Sequence, residues 1–252
     1  MLLTTLRAEF LKTRRTLALA LTIIAPAVIV AFVTGFFYLE PNRSRAVPGE
    51  NPWESYSQIV LVYWNMIMLP LFITLETALL AHLEHGQRNW KLLFTQPVPR
   101  WSVYAAKLVV ALAWIALSFA ALLALLVAAG GVLQVVNPGY GFNAPVPWES
   151  LLRIAALSYL AAWFMIAFHL WVATRWQSFV VAMGVGIAAS IFTVFLFGED
   201  AAAYFPWSVP GTLAYGTPDP ATVSLAMAIC LGGALVAALG GGWDVLRRDV
   251  AG

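Results

Sequence analysis

The sequence has little charge. Of its 252 residues only 10% are Asp, Glu, Lys or Arg, whereas 62% are hydrophobic. An ordinary soluble domain has about 25% charged residues, so this composition indicates an integral membrane protein. The formal net charge of +2 is too small to indicate a nucleic-acid partner. The positive residues are informative through their positions along the chain.

Cysteine and lysine are scarce as well. Cys230 is the one cysteine, so the chain cannot form an internal disulfide. Every Walker motif needs the pair Gly-Lys, but Lys12, Lys91 and Lys107 follow Leu, Trp and Ala. The chain therefore cannot bind ATP in that way, and an ATPase that drives it must be another polypeptide. We expect no catalytic site on this chain.

Metal-ligating patterns are equally sparse. The stretch from His82 to His85 is one residue short of the His-x-x-Glu-His motif. Polar residues at the exit of a span explain it better, and we expect no metal site. His169 lies on a different span, and two histidines on separate helices are able to clamp a haem. A haem- or quinone-binding membrane redox subunit and a non-transporting membrane scaffold therefore stay open as alternative functions.

Apolar runs predict an all-α polytopic fold within a single transmembrane domain. A membrane-crossing helix needs about 20 apolar residues, and six runs meet this length. They cover residues 17–39, 57–81, 103–135, 151–173, 178–197 and 222–243. The third run would be about 50 Å long as a helix, against about 30 Å of hydrocarbon, and so must tilt, bend or project outward. Residues 1–16 predict an amphipathic interfacial helix, because apolar residues recur at helical spacing opposite a polar face. The apolar residues are Leu2, Leu3, Leu6, Phe10 and Leu11, and the polar face carries Arg7, Glu9, Lys12 and Arg14.

Lysine and arginine orient these spans. Eleven of them fall on the side of both termini and three on the other, which predicts cytoplasmic termini in the inner membrane. Most tryptophans lie near predicted span ends and read as interfacial anchors. Those expected at the outer boundary are Trp53, Trp148 and Trp207, and those at the inner boundary are Trp90, Trp101, Trp171, Trp176 and Trp243.

The connection between spans two and three is polar and basic, from Glu84 to Lys107. Gly86 interrupts the incoming helix, and Pro97 and Pro99 prevent a new one from continuing. We therefore predict a short helix over Gln87–Phe94 that lies across the membrane surface. By contrast, the segment between spans five and six is too apolar for a solvated loop. It predicts a half-buried cap or short re-entrant helix on the outer face, with a simple loop as the alternative.

Some features inside the spans have two explanations. Glu76 is the one carboxylate well inside an apolar run, and either it accepts a bond from Thr74, Thr77 or Arg175 or it has a functional role. Small residues recur every four positions in spans five and six, which permits close helix packing within the subunit or against a second copy. Prolines in mid-span predict kinks in spans one and two. The small residues are Ala182, Gly186, Ser190, Gly233, Ala237 and Gly241, and the prolines are Pro26 and Pro70.

This arrangement resembles the permease subunit of type-2 ABC exporters, particularly the branch of bacitracin and lantibiotic self-protection permeases. The residues that carry the resemblance match a loosely spaced acidic, glycine, paired-leucine, proline, arginine and lysine pattern. They are Glu84, Gly86, Leu92, Leu93, Pro97, Arg100 and Lys107. The N-terminal segment resembles the family's connecting helix, and residues 199–215 are similar to its outer gate. His85 and Trp90 are not required by the pattern.

The resemblance implies function and partners. It implies export of an amphiphilic peptide antibiotic, drug or lipid by two paired permeases, identical or related, driven by two copies of a separate ATPase that binds ATP and Mg. The residues it assigns to ATPase docking are Glu84, Gly86, Arg88, Trp90, Lys91, Pro97 and Arg100. Those it assigns to an outer gate are Phe205, Pro206, Trp207 and Pro210. Membrane lipids are expected partners, and nucleic acid is not.

Overall fold

The computed structural model describes residues 2–14, 16–40, 49–85, 99–176, 178–216 and 219–247. Within these ranges every regular element is helical, which confirms the predicted all-α fold. Six helical spans among the described residues are long and apolar enough to cross a membrane, as predicted, and the second of them combines two helices. The helices are α1 (Leu2–Thr13), α2 (Leu17–Leu39), α3 (Pro52–Tyr63), α4 (Leu69–His85), α5 (Arg100–Val136), α6 (Trp148–Arg175), α7 (Phe179–Leu196), α8 (Val209–Tyr215) and α9 (Pro220–Arg247).

The second span starts earlier and is less regular than hydropathy predicts. It begins with α3, where the Asn51 side chain accepts a hydrogen bond from the backbone N–H of Trp53 at 3.1 Å and Pro52 occupies the first turn. It then passes through a π-helical turn, Trp64–Met68, into α4. Pro70 follows directly and has no N–H to donate, so the wider turn lies where the α-helical ladder is interrupted. Pro26, in contrast, lies within the continuous helix α2.

Helix α6 lies at the centre of the bundle. It packs most extensively against α9 and also contacts α4, α5 and α8. Its buried residues include Ala161, Ala162, Met165 and Ile166, all with no exposed surface. Helices α7 and α9 are the least buried, with 22% of their apolar windows inside the protein. Their remaining surface is available to lipid or to another chain.

The long helix α5 packs against other helices of the bundle near both of its ends. Near its end Gly130 lies against the indole ring of Trp53, and near its start Lys107 contacts the carbonyl of Leu80. The two contacts are separated by 23 residues, or about 35 Å of helix, which is close to the thickness of a membrane core. The 37-residue helix continues beyond this interval at both of its ends.

Trp53 packs inside the protein and does not contact lipid, so its predicted role as an interfacial anchor is wrong. It is 3% exposed, and its indole N–H donates to the carbonyls of Phe142 and Ala144 at 3.2 and 3.0 Å. Trp101, Trp148, Trp176 and Trp243 are about half exposed, as interfacial anchors require. Trp53 differs because the turn after α5 folds back and covers it.

Both small-residue stripes pack inside the subunit. In α7 Gly186 lies against the side chain of Thr74, and in α9 Gly233 and Gly241 lie against Phe164 and Tyr104. Ala182, Ser190 and Ala237 on the same stripes are buried too. Of the two explanations, packing within the subunit is therefore the one that the structure supports for these residues.

Candidate functional site: the re-entrant segment and the inner junction

The chain from Gly198 to Gly216, here called the re-entrant segment, turns back into the bundle after α7. Gly198 has φ +89°, a left-handed conformation that favours glycine and lets the chain reverse. A 3-10 turn over Asp200–Tyr204 follows. The side-chain hydroxyl of Ser208 then donates to the carbonyl of Ala202 at 2.6 Å, closing the descending loop just before α8 begins. Of the two predicted forms, the re-entrant helix is the one observed.

The segment penetrates deeply along α6. The Ser158 hydroxyl donates to the carbonyl of Pro210 at 3.4 Å, and the Trp207 indole N–H donates to Nε2 of His169 at 3.1 Å. Ser158 and His169 lie about 15 Å and about 31 Å along α6 from its first residue, at 1.5 Å per residue. Trp207 therefore lies deep in the bundle, and its predicted position at the outer boundary is wrong.

Aromatic packing holds the tip of this segment. The ring of Trp207 stacks on Phe205 with centroids 5.2 Å apart, and it meets Phe164 and Phe168 edge-on at 5.2 and 5.4 Å. Such pairs are worth about 0.5–1.5 kcal/mol each beyond their buried area. The apolar composition of the segment predicted its burial, but nothing in the sequence predicted the hydrogen bond to His169.

Helix α8 packs against the π-helical turn in the second span. Gly211 lies directly against the side chain of Met66, in the π turn, so a Cβ at this position would collide with it. In the same turn the indole N–H of Trp64 and both polar atoms of the Asn65 side chain are buried without a partner among the described residues. Sequence reasoning passed over Asn65, although a lone amide within an apolar run is a detectable signal.

Three helices meet at an ion pair on the side of the termini. Lys107 of α5 is 1% exposed, and its Nζ lies 2.7 Å from Oε2 of Glu9 in α1 and 3.3 Å from the carbonyl of Leu80 in α4. Lys12 contributes a second bond to Glu9, also of 2.7 Å. We call these four residues the inner junction. Because Lys107 is nearly fully buried, its charge depends on these partners.

The N-terminal helix packs along α5 over more than one turn. Phe10 meets Trp114 edge-on with ring centroids 5.3 Å apart, one residue after the ion-paired Glu9. Helix α1 therefore buries both a charged group and an aromatic ring against the third span. Sequence reasoning placed Glu9 on the polar face of this helix and did not foresee its burial.

Glu76 has no partner among the described residues. Its side chain is fully buried and neither carboxylate oxygen has a hydrogen bond. The hydroxyls of Thr74 and Thr77 donate to carbonyls of their own helix, and Arg175 lies 3.8 Å from Asp244. The predicted bond from these residues to Glu76 is therefore wrong, and among the described residues the carboxylate has no hydrogen-bond partner.

Most predicted docking residues lie outside the described residues. These are Gly86, Arg88, Trp90, Lys91 and Pro97. Glu84 lies in the last turn of α4, and Arg100 is the first residue of α5 and half-buried. The structure thus describes both ends of the segment. The helices that flank it, α4 and α5, contact each other at the inner junction through Leu80 and Lys107.

The two histidines considered for a haem clamp have different surroundings. His82 is exposed near the end of α4. His169 is 1% exposed, and its Nε2 is occupied by the indole N–H of Trp207. This arrangement gives no support to a clamp between them.

Comparison with known proteins decides the family. The family model described as ABC-2 family transporter protein matches residues 5–195, more than half of the chain. The chain belongs to the ABC-2 transporter family. The permease is also similar to the bacitracin transport permease protein BCRB of Bacillus licheniformis, with 27% identity over 187 residues that cover 71% of this chain and 86% of the relative.

Membership confirms the resemblance read from the sequence. The chain is a permease subunit of an ABC exporter and a multi-pass membrane protein. Family membership also implies an ABC ATPase as partner. The match to residues 5–195 includes the inner junction and the predicted docking segment. It ends just before the re-entrant segment.

Proposed function

We propose that this permease exports an amphiphilic compound, of which a peptide antibiotic is the first candidate and a drug or lipid the others. Support for the substrate class comes from the similarity to a permease named for bacitracin transport. The energy comes from ATP and Mg bound by a separate ATPase, in two copies. Two permeases, identical or related, enclose the path. The six-span bundle described here is one half of that assembly.

The observation that carries the proposal is the inner junction. The segment proposed for docking leaves α4 after His85 and enters α5 at Arg100, and Lys107 binds α4, α5 and α1 together within 3.3 Å. A buried ion pair resists separation, because removal of one partner leaves an uncompensated charge. When the ATPase closes on ATP and pushes residues 84–100, the three helices move as one body.

The orientation follows from charge. Eleven of fourteen Lys and Arg residues lie on the side of the termini, which favours a cytoplasmic location for both termini and for residues 84–100 in the inner membrane. The ATPase then meets the permease in the cytoplasm. The re-entrant segment is reached from the opposite side, where it acts as an outer gate built around Phe205, Pro206, Trp207 and Pro210.

The docking role is tested by a triple variant, Arg88→Glu, Lys91→Glu and Trp90→Ala. An aromatic anchor with flanking charges is the composition of an interface hot spot, and its truncation costs about 2 kcal/mol or more. We expect the variant to insert normally but to lose co-purification with its ATPase, or to uncouple hydrolysis from transport. The matched control is Arg43→Glu, Arg45→Glu and Trp148→Ala, which makes the same changes at the predicted outer side.

Two results would contradict this assignment. If the triple variant binds its ATPase and transports at the normal rate, residues 84–100 only anchor the span to lipid headgroups. If a tag within Gln87–Gln96 is labelled by an impermeant reagent from outside, while tags near Pro48 and Thr217 are protected, the orientation is reversed. Either outcome is separate from a failure of insertion, which membrane fractionation detects.

A further inference from the structure

An open cleft lies at the outer end of the bundle, outside the re-entrant tip and the inner junction. It has a volume of about 430 Å3 and is formed by the first turns of α3 and α6 and the end of α8. The side-chain amide of Gln58 donates to the carbonyl of Tyr215 at 2.6 Å and ties α3 to the end of α8 beside it. The exposed Trp148 at the start of α6 marks the level of the membrane interface.

Two opposite charges face this cleft without pairing. Glu54 and Arg153 both line it, both are exposed, and neither side chain has an ion pair or hydrogen bond within the described ranges. Most of the charged groups at the inner junction, by contrast, bind each other directly. A ligand with one positive and one negative group is the complement of such a cleft.

The cleft becomes apolar with depth. Glu54 and Arg153 lie two and five residues from the starts of their helices, whereas Leu61 and Leu157 lie nine residues from the same starts. At 1.5 Å per residue the apolar residues lie about 6–11 Å deeper than the charged ones. Leu213 of α8 and Val223 of α9 also line the cleft. A polar mouth above an apolar floor is the shape of an amphiphile lying at the headgroup level.

We propose that this cleft binds the headgroup of a zwitterionic phospholipid with a primary ammonium, with the phosphate at Arg153 and the ammonium at Glu54. Guanidinium groups suit phosphate because they present several N–H donors in one plane. The volume lies in the range of small-ligand pockets, so it holds a headgroup and the first carbons of its chains. The bound lipid contacts α8 and so supports the re-entrant segment from outside, whatever substrate the permease exports.

The test compares lipids on the purified, full-length permease in detergent micelles. Native mass spectrometry measures binding of dioleoyl phosphatidylethanolamine, phosphatidylglycerol and phosphatidylcholine at equal concentrations. We expect phosphatidylethanolamine to bind about tenfold more tightly than phosphatidylglycerol, because phosphatidylglycerol has no ammonium to donate to Glu54. A tenfold difference is the size expected for the loss of one charge-assisted hydrogen bond. Phosphatidylcholine, whose ammonium has no N–H, should also bind more weakly.

Variants then assign each end of the headgroup. Glu54→Gln should remove the preference for phosphatidylethanolamine over phosphatidylglycerol, and Arg153→Gln should weaken all three lipids. Glu149→Gln, in the first turn of α6 but not among the residues that line the cleft, should leave the binding of all three lipids unchanged. Equal binding of the three lipids by the unchanged protein would overturn the proposal without any variant. An unaltered preference in Glu54→Gln, or unaltered affinity for all three lipids in Arg153→Gln, would overturn it as well, and neither result bears on ATPase docking or transport.

Discussion

Lys107 is the residue on which three helices depend. It is the largest charged side chain buried in the bundle and is satisfied by Glu9 and by the carbonyl of Leu80. Its position was noted from sequence because it ends the family pattern, but its partner was not. Helical spacing places Glu9 among exposed positions of α1, and only the packing of α1 on α5 buries it. Pairings between residues 98 positions apart leave no local signal.

The strength of this ion pair can be measured by a double-mutant cycle. Lys107→Met leaves Glu9 buried with Lys12 alone, and we expect it to lower the free energy of unfolding by about 3–5 kcal/mol. Glu9→Leu should also lower the free energy of unfolding, because it removes the carboxylate that lies 2.7 Å from the buried Nζ of Lys107. The double variant should lose much less than the two single losses combined, since an apolar pair replaces both charges. Unfolding in mixed micelles followed by tryptophan fluorescence gives the three values.

Arg7→Gln is the matched control, since Arg7 lies on the same helix and is exposed. It should alter stability by no more than about 0.5 kcal/mol. If the single losses simply add in the double variant, Glu9 and Lys107 do not stabilise each other. The role of the junction in coupling would then have to rest on the apolar contacts of α1.

Trp207 shows where residue-level reading goes wrong. A tryptophan near the end of a span usually marks the interface, because its ring is apolar and its N–H needs a polar partner. Here the N–H finds that partner inside the protein, in Nε2 of His169. The same statistical preference therefore agrees with the exposure of Trp148, but it gives a wrong position for Trp207 and a wrong role for Trp53.

At the scale of elements, hydropathy predicts the number of spans and their centres but not their ends. The second span starts at Pro52, five residues before the predicted start, because a helix needs only a cap and backbone hydrogen bonds to extend into the headgroup layer. The π turn at Trp64–Met68 was not foreseen either. A mid-span proline predicts an irregular turn but not which kind of turn. Helix α8 packs against the π turn through Gly211 and Met66, and this contact between distant segments cannot be predicted from the proline.

The contact between α4 and α7 gives a prediction with a matched control on one helix. At Gly186 a new Cβ would collide with the side chain of Thr74, whose hydroxyl is held at 2.8 Å from the carbonyl of Pro70. We expect Gly186→Ala to destabilise the protein by about 1–3 kcal/mol through overpacking. At Gly184 nothing lies within 4 Å of the new Cβ. Gly184→Ala should instead raise stability by up to about 1 kcal/mol, through helix propensity.

Thermal unfolding of the two variants in the same detergent checks the opposite signs. Gly186→Ser should also destabilise the protein, because any Cβ at this position collides with the side chain of Thr74. If both alanine variants have the same effect, α7 does not pack on α4 as described. The small-residue stripe of α7 would then again be available to a second copy.

At the scale of the whole molecule, the apolar surface exceeds what the subunit itself buries. Only 39% of the apolar window of α2 and 22% of that of α7 lie inside the protein. The exposed residues on these helices include large side chains such as Phe32 and Ile191, whereas Ala182, Gly186 and Ser190 of the predicted stripe of α7 face inward. In the proposed pair we therefore expect the second permease to meet this one through bulky side chains, and not through the small-residue stripes that the sequence first suggests.

Cysteine cross-linking in membranes distinguishes the two kinds of surface. Cys230 is the one native cysteine and is buried, so replacing it with Ala gives a background for single cysteines. We expect cysteines at Val28 and Phe32 of α2, or at Ile187 and Ile191 of α7, to yield covalent dimers, because these positions are exposed and share a helical face. Ala182→Cys, on the inward stripe, should yield none, since its side chain is covered by α4 and α6. Dimers from Ala182→Cys, or none from any outward position while the permease stays bound to its ATPase, would contradict a paired assembly built on these faces.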